Sequence, residues 1–273
     1  MVVLACGPFI GDWEQEILNF RPFIQWVYKS YNPKDIYLST HFNRSFIYQW
    51  IDDKNFLPIY HHLTRNELSQ TGSIHKNLPI KDYSLMIKIF KEEILKRTNV
   101  NKRDITVVNV PYTKNSNFPF YNKYFSKIEC PDIKIKKKYS VVYIPDISED
   151  EERLVEIYKL LKKNYDVGVI GDLKTYLEDV NVVTRRVDYF ENGYKYIIKY
   201  IMEADIIICP ASHWTLLCNQ QKVPVFSWGE NIGRYSKMGI YNLGNEKCFL
   251  TPTTSETPAK EIFKTMQYFI NSF

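Results

Sequence analysis

Hydrophobic and polar positions along this chain switch repeatedly between strand-like runs and helix-like spacing. The apolar run "VVLACG" ends in Gly7 and Pro8 and reads as a buried strand. After Asp12, apolar residues at Ile17, Phe20, Ile24, Val27 and Tyr31 keep close to helical spacing. Pro22 is expected to kink or divide that helix, because it lacks a backbone donor. "DIYLST" reads as a second strand, "RSFIYQWI" as a short helix and "FLPIY" as a third strand weakened by Pro58. "ITVVNV" is a fourth strand, preceded by the helix "YSLMIKIFKEEILKR".

The rhythm breaks between Pro111 and Lys138, where prolines, Asn and Tyr lead into the run "KIKKK", and this stretch reads as a connection between domains. The pattern then restarts. "YSVVYI" is a strand, followed by a helix with Leu154, Ile157, Tyr158 and Leu161 on one face and a capping box from Ser148 and Glu151. "YDVGVIGD" is a strand, and the next helix places Tyr194, Ile197, Ile198, Ile201 and Ala204 on one stripe. "IIICP", the helix "SHWTLLCNQQK" and the strand "VPVFSWG" follow. Thr257 and Pro258 open a last helix with Ile262, Phe263, Met266, Phe269 and Ile270 inward. Strands alternating with helices of this length predict an α/β protein with parallel sheets in two Rossmann-like halves. The expected boundaries are 1–132, 133–257 and a final helix, 258–273, packing back across the domains.

Composition narrows the class. The chain has 273 residues, 45% of them hydrophobic and 25% charged, enough to build a core in each half. A net charge of +5 permits an anionic partner without choosing one. The five cysteines are odd in number, widely spaced and form no C-x-x-C, so a reducing, cytoplasmic setting is expected, with no disulfide framework or zinc site. No apolar run reaches membrane-spanning length, and no basic segment precedes an N-terminal hydrophobic one, so membrane insertion is not expected. The histidines, His61 and His62 among them, lack ligand spacing, so no metal is expected.

In open parallel sheets, ligands bind beyond the carboxyl ends of the strands. In the first half that rule selects Asp12, His41, Asn43, Arg44, His61, His62 and Tyr112; in the second, Asp146, Gly171, Asp172, the turn from Pro210 to Thr215, and Gly229 to Arg234. The turn at Ser212 brings free backbone N–H groups and a helix dipole to one spot, which suits a phosphate. Ser212 and Thr215 offer hydroxyls there, and His213 can bond or stack. The competing reading is an ordinary N-cap at Ser212 with Trp214 simply packing. Asp12 with Gln15 likewise fits a capping box, while Gly7 and Gly11 permit close approach of backbone to a ligand.

Two stretches carry a family resemblance. "IGDW", then Pro22, then "YNPKDIYL", and later "CPASHWTLLCNQQKVPVFSWG", resemble the heptosyltransferase family, glycosyltransferase family 9. The resemblance implies a GT-B fold, with two Rossmann-like domains facing a central cleft. It further implies transfer of a sugar from a nucleotide-sugar to a hydroxyl acceptor, without a metal or other cofactor. Asp12 then corresponds to the catalytic base. Ser212, His213, Trp214, Thr215, Gly171, Gly229 and Arg234 are expected around the donor, and Gly11, His41, Asn43, Arg44, His61 and Arg65 around the acceptor. The chain departs from the family at Ala211, His213 and Leu216, where the family has Asp, Gly and His, and "SEDEER" stands where a Lys is usual. Arg234 and Lys237, or Arg185 and Arg186, are the cations left to meet phosphate. A glycan or lipopolysaccharide is the expected acceptor. Two other readings stay open: a phage-type transferase acting on hydroxymethylated DNA bases, and a non-catalytic nucleotide-binding shell.

Overall fold

A computed structural model describes residues 3–9, 16, 20–31, 33, 35–40, 42–58, 80–108, 127–129, 132–135, 137–145, 150–170, 193–230, 232 and 245–273. The chain divides into two compact units, Met1–Ser126 and Lys127–Phe273.

In the first unit, β1 (Val3–Cys6) lies between β2 (Asp35–Leu38) and β3 (Ile105–Val108), parallel to both. All four β1 residues are buried, as a central strand covered on both faces requires. Between β1 and β2 runs α1 (Arg21–Tyr31). Pro22 is its second residue and Phe20, just before it, is π-helical, so the proline stands where a wider turn passes into the regular helix. A 3₁₀ turn (Phe42–Ile47) follows β2, and α2 (Ile80–Arg97) precedes β3. Met86, Phe90 and Ile94 of α2 are buried, with Phe90 and Ile94 packed on Val3, Ala5, Tyr37 and Ile105. Of the strand expected at "FLPIY", Phe56 bridges Leu38 and the Leu57 amide donates to the Leu38 carbonyl at 2.7 Å, while Ile59 and Tyr60 lie outside the described residues. Pro58 has no N–H with which to extend the ladder.

The second unit holds β4 (Val141–Tyr143), α3 (Glu151–Asn164), β5 (Val167–Val169), α4 (Gly193–Glu203), β6 (Ile206–Pro210), α5 (His213–Gln221), β7 (Val225–Gly229), β8 (Cys248–Pro252) and α6 (Ala259–Ile270). Its five strands are all parallel, in the order β5-β4-β6-β7-β8. The edge strand β8 was not expected from the sequence. The segment is short and its burial does not alternate, and pairing with β7 from Val225–Cys248 to Gly229–Pro252 holds it. The cap of α3 is Asp150, whose side chain accepts from the Glu152 amide at 3.0 Å, in place of the expected Ser148. Ser148 itself lies outside the described residues. The face of α6 formed by Ala259, Ile262, Phe263, Met266 and Ile270 packs with Leu154, Ile157, Leu161, Phe226 and Trp228 of the same unit. Each large apolar side chain buried in this way stabilises by roughly 1.5–3 kcal/mol.

Candidate functional site

Numbered within the second unit, its strand order is 2-1-3-4-5. The order therefore reverses between β4 and β6, and the carboxyl ends of those strands form the switch point where such sheets bind ligands. The β6–α5 turn stands there. Ser212 is extended (φ −151°, ψ −173°) and caps α5, its Oγ accepting from the Trp214 amide at 3.3 Å. Thr215 returns the favour by accepting from the Ser212 amide at 3.2 Å, which completes a capping box. The Thr215 hydroxyl lies 2.9 Å from Ser227 Oγ on β7 and 3.4 Å from the Pro210 carbonyl, which accepts from it. Cys209 Sγ is 3.3 Å from Ser227 Oγ. This small polar layer is buried, and it fastens the head of α5 to β6 and β7.

The Ser212 Oγ thus forms the N-cap that the sequence also allows, and Thr215, only 1% exposed, bonds within the turn and to β7. The amides of Ala211, Ser212, Trp214 and Thr215 all have acceptors within the unit, so what the turn offers an anion is chiefly the dipole of α5. The Ala211 amide is committed to the Trp228 carbonyl at 2.7 Å, so residue 211 is held against β7. Trp214 is 6% exposed and packs inside the unit. Gly229 ends β7 at φ 150°, and its carbonyl accepts from the Thr253 amide at 3.4 Å.

The carboxyl edge of the first unit carries a cluster that sequence reasoning missed. Gly7 follows β1 at φ 103°, and a Cβ there would stand 2.3 Å from the Ser39 carbonyl oxygen, so only glycine fits. The Gly7 amide donates to the Val108 carbonyl at 3.0 Å, and the Phe9 amide to the Ser39 carbonyl at 2.8 Å. Glu16 is fully buried. Its Oε1 accepts from Thr40 Oγ1 at 2.5 Å and from Tyr48 OH at 2.8 Å, while its Oε2 pairs with Arg44 Nη1. Burial and the Glu16 charge hold the Tyr48 phenol well above its usual value. Arg21, also buried, lies 5.0 Å over the Trp50 ring and donates from Nε to the Ile47 carbonyl at 2.7 Å; burial pushes its guanidinium down to about 10. A signal for Glu16 was present in the sequence: it falls on the stripe of Phe20, Ile24 and Val27, and a carboxylate on an apolar stripe needs partners.

Of the expected acceptor residues, Arg44 is thus engaged inside the unit, 1% exposed and paired with Glu16. Asn43 lies in the 3₁₀ turn and His213 at the start of α5, both described in backbone alone. Gly11, Asp12, His41, His61, Arg65, Gly171, Arg234 and Lys237 lie outside the described residues. Among the described residues no group of three or more His, Cys, Asp or Glu could hold a metal ion, and no helix is long and apolar enough to cross a membrane. Burial pushes the Cys248 thiol up to about 11 and the Cys6 and Cys218 thiols further, so none of them is poised as a nucleophile.

Two Rossmann-like units, each with a parallel sheet, define the class as GT-B, and solved structures agree. A glycosyl transferase family 9 protein from Veillonella parvula superposes with a TM-score of 0.57, at 9% identity over 99% of this chain and 97% of that one. The Escherichia coli heptosyltransferase WaaC with ADP gives 0.53, at 10% identity over 98% and 100%. The E. coli ADP-heptose lipopolysaccharide heptosyltransferase II gives 0.50, at 10% identity over 100% and 99%. At these identities the likeness is one of fold. No protein-family model and no curated protein sequence matches the chain.

Proposed function

We propose that this chain is a glycosyltransferase that moves a sugar from a nucleotide-sugar to a hydroxyl acceptor, a glycan or lipopolysaccharide in the first instance. The observation that carries the proposal is the fold likeness to family 9 glycosyltransferases, which runs over 99% of this chain and 97% of its neighbour. One of those neighbours was solved with ADP, which makes adenosine diphosphate the first nucleotide to test on this chain. In this reading the diphosphate sits at the head of α5, where the helix dipole offsets part of its charge. Asp12 accepts the proton of the acceptor hydroxyl as that oxygen bonds to the sugar C1. As that bond forms, the C1–O bond to the diphosphate breaks and the nucleoside diphosphate leaves with the electron pair. The chemistry needs a carboxylate and an anion site; no step requires a metal or other cofactor.

The test has two parts. Thermal shift across ADP-, UDP-, GDP- and CMP-sugars identifies the donor, and transfer of its labelled sugar to hydroxyl acceptors is then followed with the native chain and with Asp12→Asn. Native transfer with loss of at least a hundredfold in Asp12→Asn, at unchanged donor binding, is the expected result. Stabilisation by none of these donors defeats the proposal, and binding without transfer leaves a nucleotide-binding shell.

A further inference from the structure

β8 is the outermost strand of the second sheet and pairs on one side only, with β7. Two bonds fix which of its backbone groups face β7. The Val225 amide donates to the Lys247 carbonyl at 3.0 Å, and the Thr253 amide donates to the Gly229 carbonyl at 3.4 Å. Along a strand the backbone groups of successive residues point alternately to either side. Residues 247, 249, 251 and 253 therefore turn their amides and carbonyls toward β7, and 248, 250 and 252 turn theirs outward. The outward row consists of the amides and carbonyls of Cys248 and Leu250 and the carbonyl of Pro252, whose ring removes the third donor. None of these groups has a hydrogen-bond partner among the described residues. The strand reads CFLTP and lacks the charges with which natural sheet edges deter pairing. An apolar patch lies beside the open row. Phe249 is 42% exposed although its ring stacks on Phe226 at 5.6 Å and meets Phe269 at 6.0 Å. An open ladder finds no partners in hydrocarbon, so this edge fits another strand and not a lipid surface.

We infer that β8 is an interface between two copies of this chain, paired antiparallel about a two-fold axis at Phe249. The two sheets, five strands from each copy, then run on as one. The open groups select this register. With the axis at Phe249, Cys248 of each copy faces Leu250 of the other, and each such pair exchanges two bonds. Every outward group of those two residues is then matched. An axis at Leu250 would set the Cys248 carbonyl against Pro252, which has no N–H to offer. An axis at Thr251 would carry Cys248 past the end of the other β8. In the selected register Pro252 falls beyond the paired residues, where it stops the ladder from running on. Phe249 meets its own copy at the closely spaced, non-hydrogen-bonded position, with α-carbons about 4.5 Å apart, so both half-exposed rings are covered.

Sedimentation velocity of the full chain from about 5 to 200 μM spans the range of small interfaces and should show the mass rise from one chain to two. Leu250→Pro deletes an outward amide that takes no part in pairing with β7, a place where a sheet accepts proline. Phe249→Lys leaves every backbone group in place and sets two like charges across the axis. Each should weaken the dimer by at least about tenfold while circular dichroism stays native. Phe249→Lys decides the matter should Leu250→Pro unfold. The register is read by copper-phenanthroline oxidation in a Cys248→Ser background. Phe249→Cys should give a disulfide-linked dimer, because the facing α-carbons lie within bridging distance, and Thr251→Cys should not. A single-chain mass at every concentration overturns the inference, and so does a dimer that neither variant weakens. Equal cross-linking at both positions removes the register and the inference with it. A monomer that floats with phosphatidylglycerol vesicles gives the patch to lipid and overturns it equally.

Discussion

At the scale of single residues, the side chains that matter most are those whose charged groups are buried and paired inside the unit. Arg44 illustrates this. As a basic residue beyond β2 it was expected to meet an acceptor, yet it is buried against Glu16. Its removal therefore acts on stability before it acts on binding. Arg44→Met should destabilise the chain by roughly 3–5 kcal/mol, because it strands a buried carboxylate. Glu16→Gln/Arg44→Met should cost much less, since no charge is left alone and the Gln amide oxygen still accepts from Thr40 and Tyr48. Urea denaturation of the two variants decides it: equal midpoints, or a native midpoint in the single variant, would contradict the assigned role.

At the scale of elements, the β6–α5 turn is built as a joint. Thr215 connects the α5 cap to β7 through Ser227, and Ser212 closes the first turn of the helix. Thr215→Val keeps the shape and leaves the Ser212 amide and the Ser227 hydroxyl short of a partner, at a cost of about 1–3 kcal/mol. Ser212→Ala removes an N-cap, worth about 1 kcal/mol. Both changes should lower the Tm while leaving nucleotide affinity within about twofold, because in the proposed site the anion is met by the dipole of α5. A large loss of nucleotide affinity at native Tm, measured by calorimetry, would return the hydroxyls to the donor site. The elements themselves were largely legible. Strongly periodic segments such as α3, α4 and α6 follow from their apolar stripes, since a helix that buries one face must repeat it every three or four residues. At "FLPIY" the described residues pair with β2 through one bridge at Phe56, and Pro58 has no N–H to add to that ladder. The edge strand β8 was invisible for the converse reason: its residues are half-exposed, and pairing with β7 makes them a strand.

At the scale of the whole molecule, each unit has its own sheet and core, and the second has the larger share, with five strands covered by α3 and α6 on one face. A fragment spanning residues 127–273 should accordingly unfold cooperatively on its own. It should also keep the nucleotide binding proposed for the head of α5, so that saturating nucleotide raises its Tm as it does for the full chain. Differential scanning calorimetry of the fragment with and without ADP, UDP and GDP checks both; a fragment that folds but is stabilised by none of them, beside a full chain that is, would move the nucleotide site away from the second unit alone.

The α/β class, the restart of the pattern after the middle of the chain and the identity of most strands and helices were determined by the sequence itself, because hydrophobic periodicity is a local property that each segment carries with it. Strand order was not. The reversal between β4 and β6 that puts the β6–α5 turn at a switch point, and the neighbours that consume the hydroxyls of Ser212 and Thr215, come from parts of the chain that meet only on folding. The same holds for Glu16: its place on an apolar stripe was readable, but Thr40, Arg44 and Tyr48 lie 24 to 32 residues away. Whether a buried charge is a liability or an anchor depends on partners that only tertiary structure can bring to it.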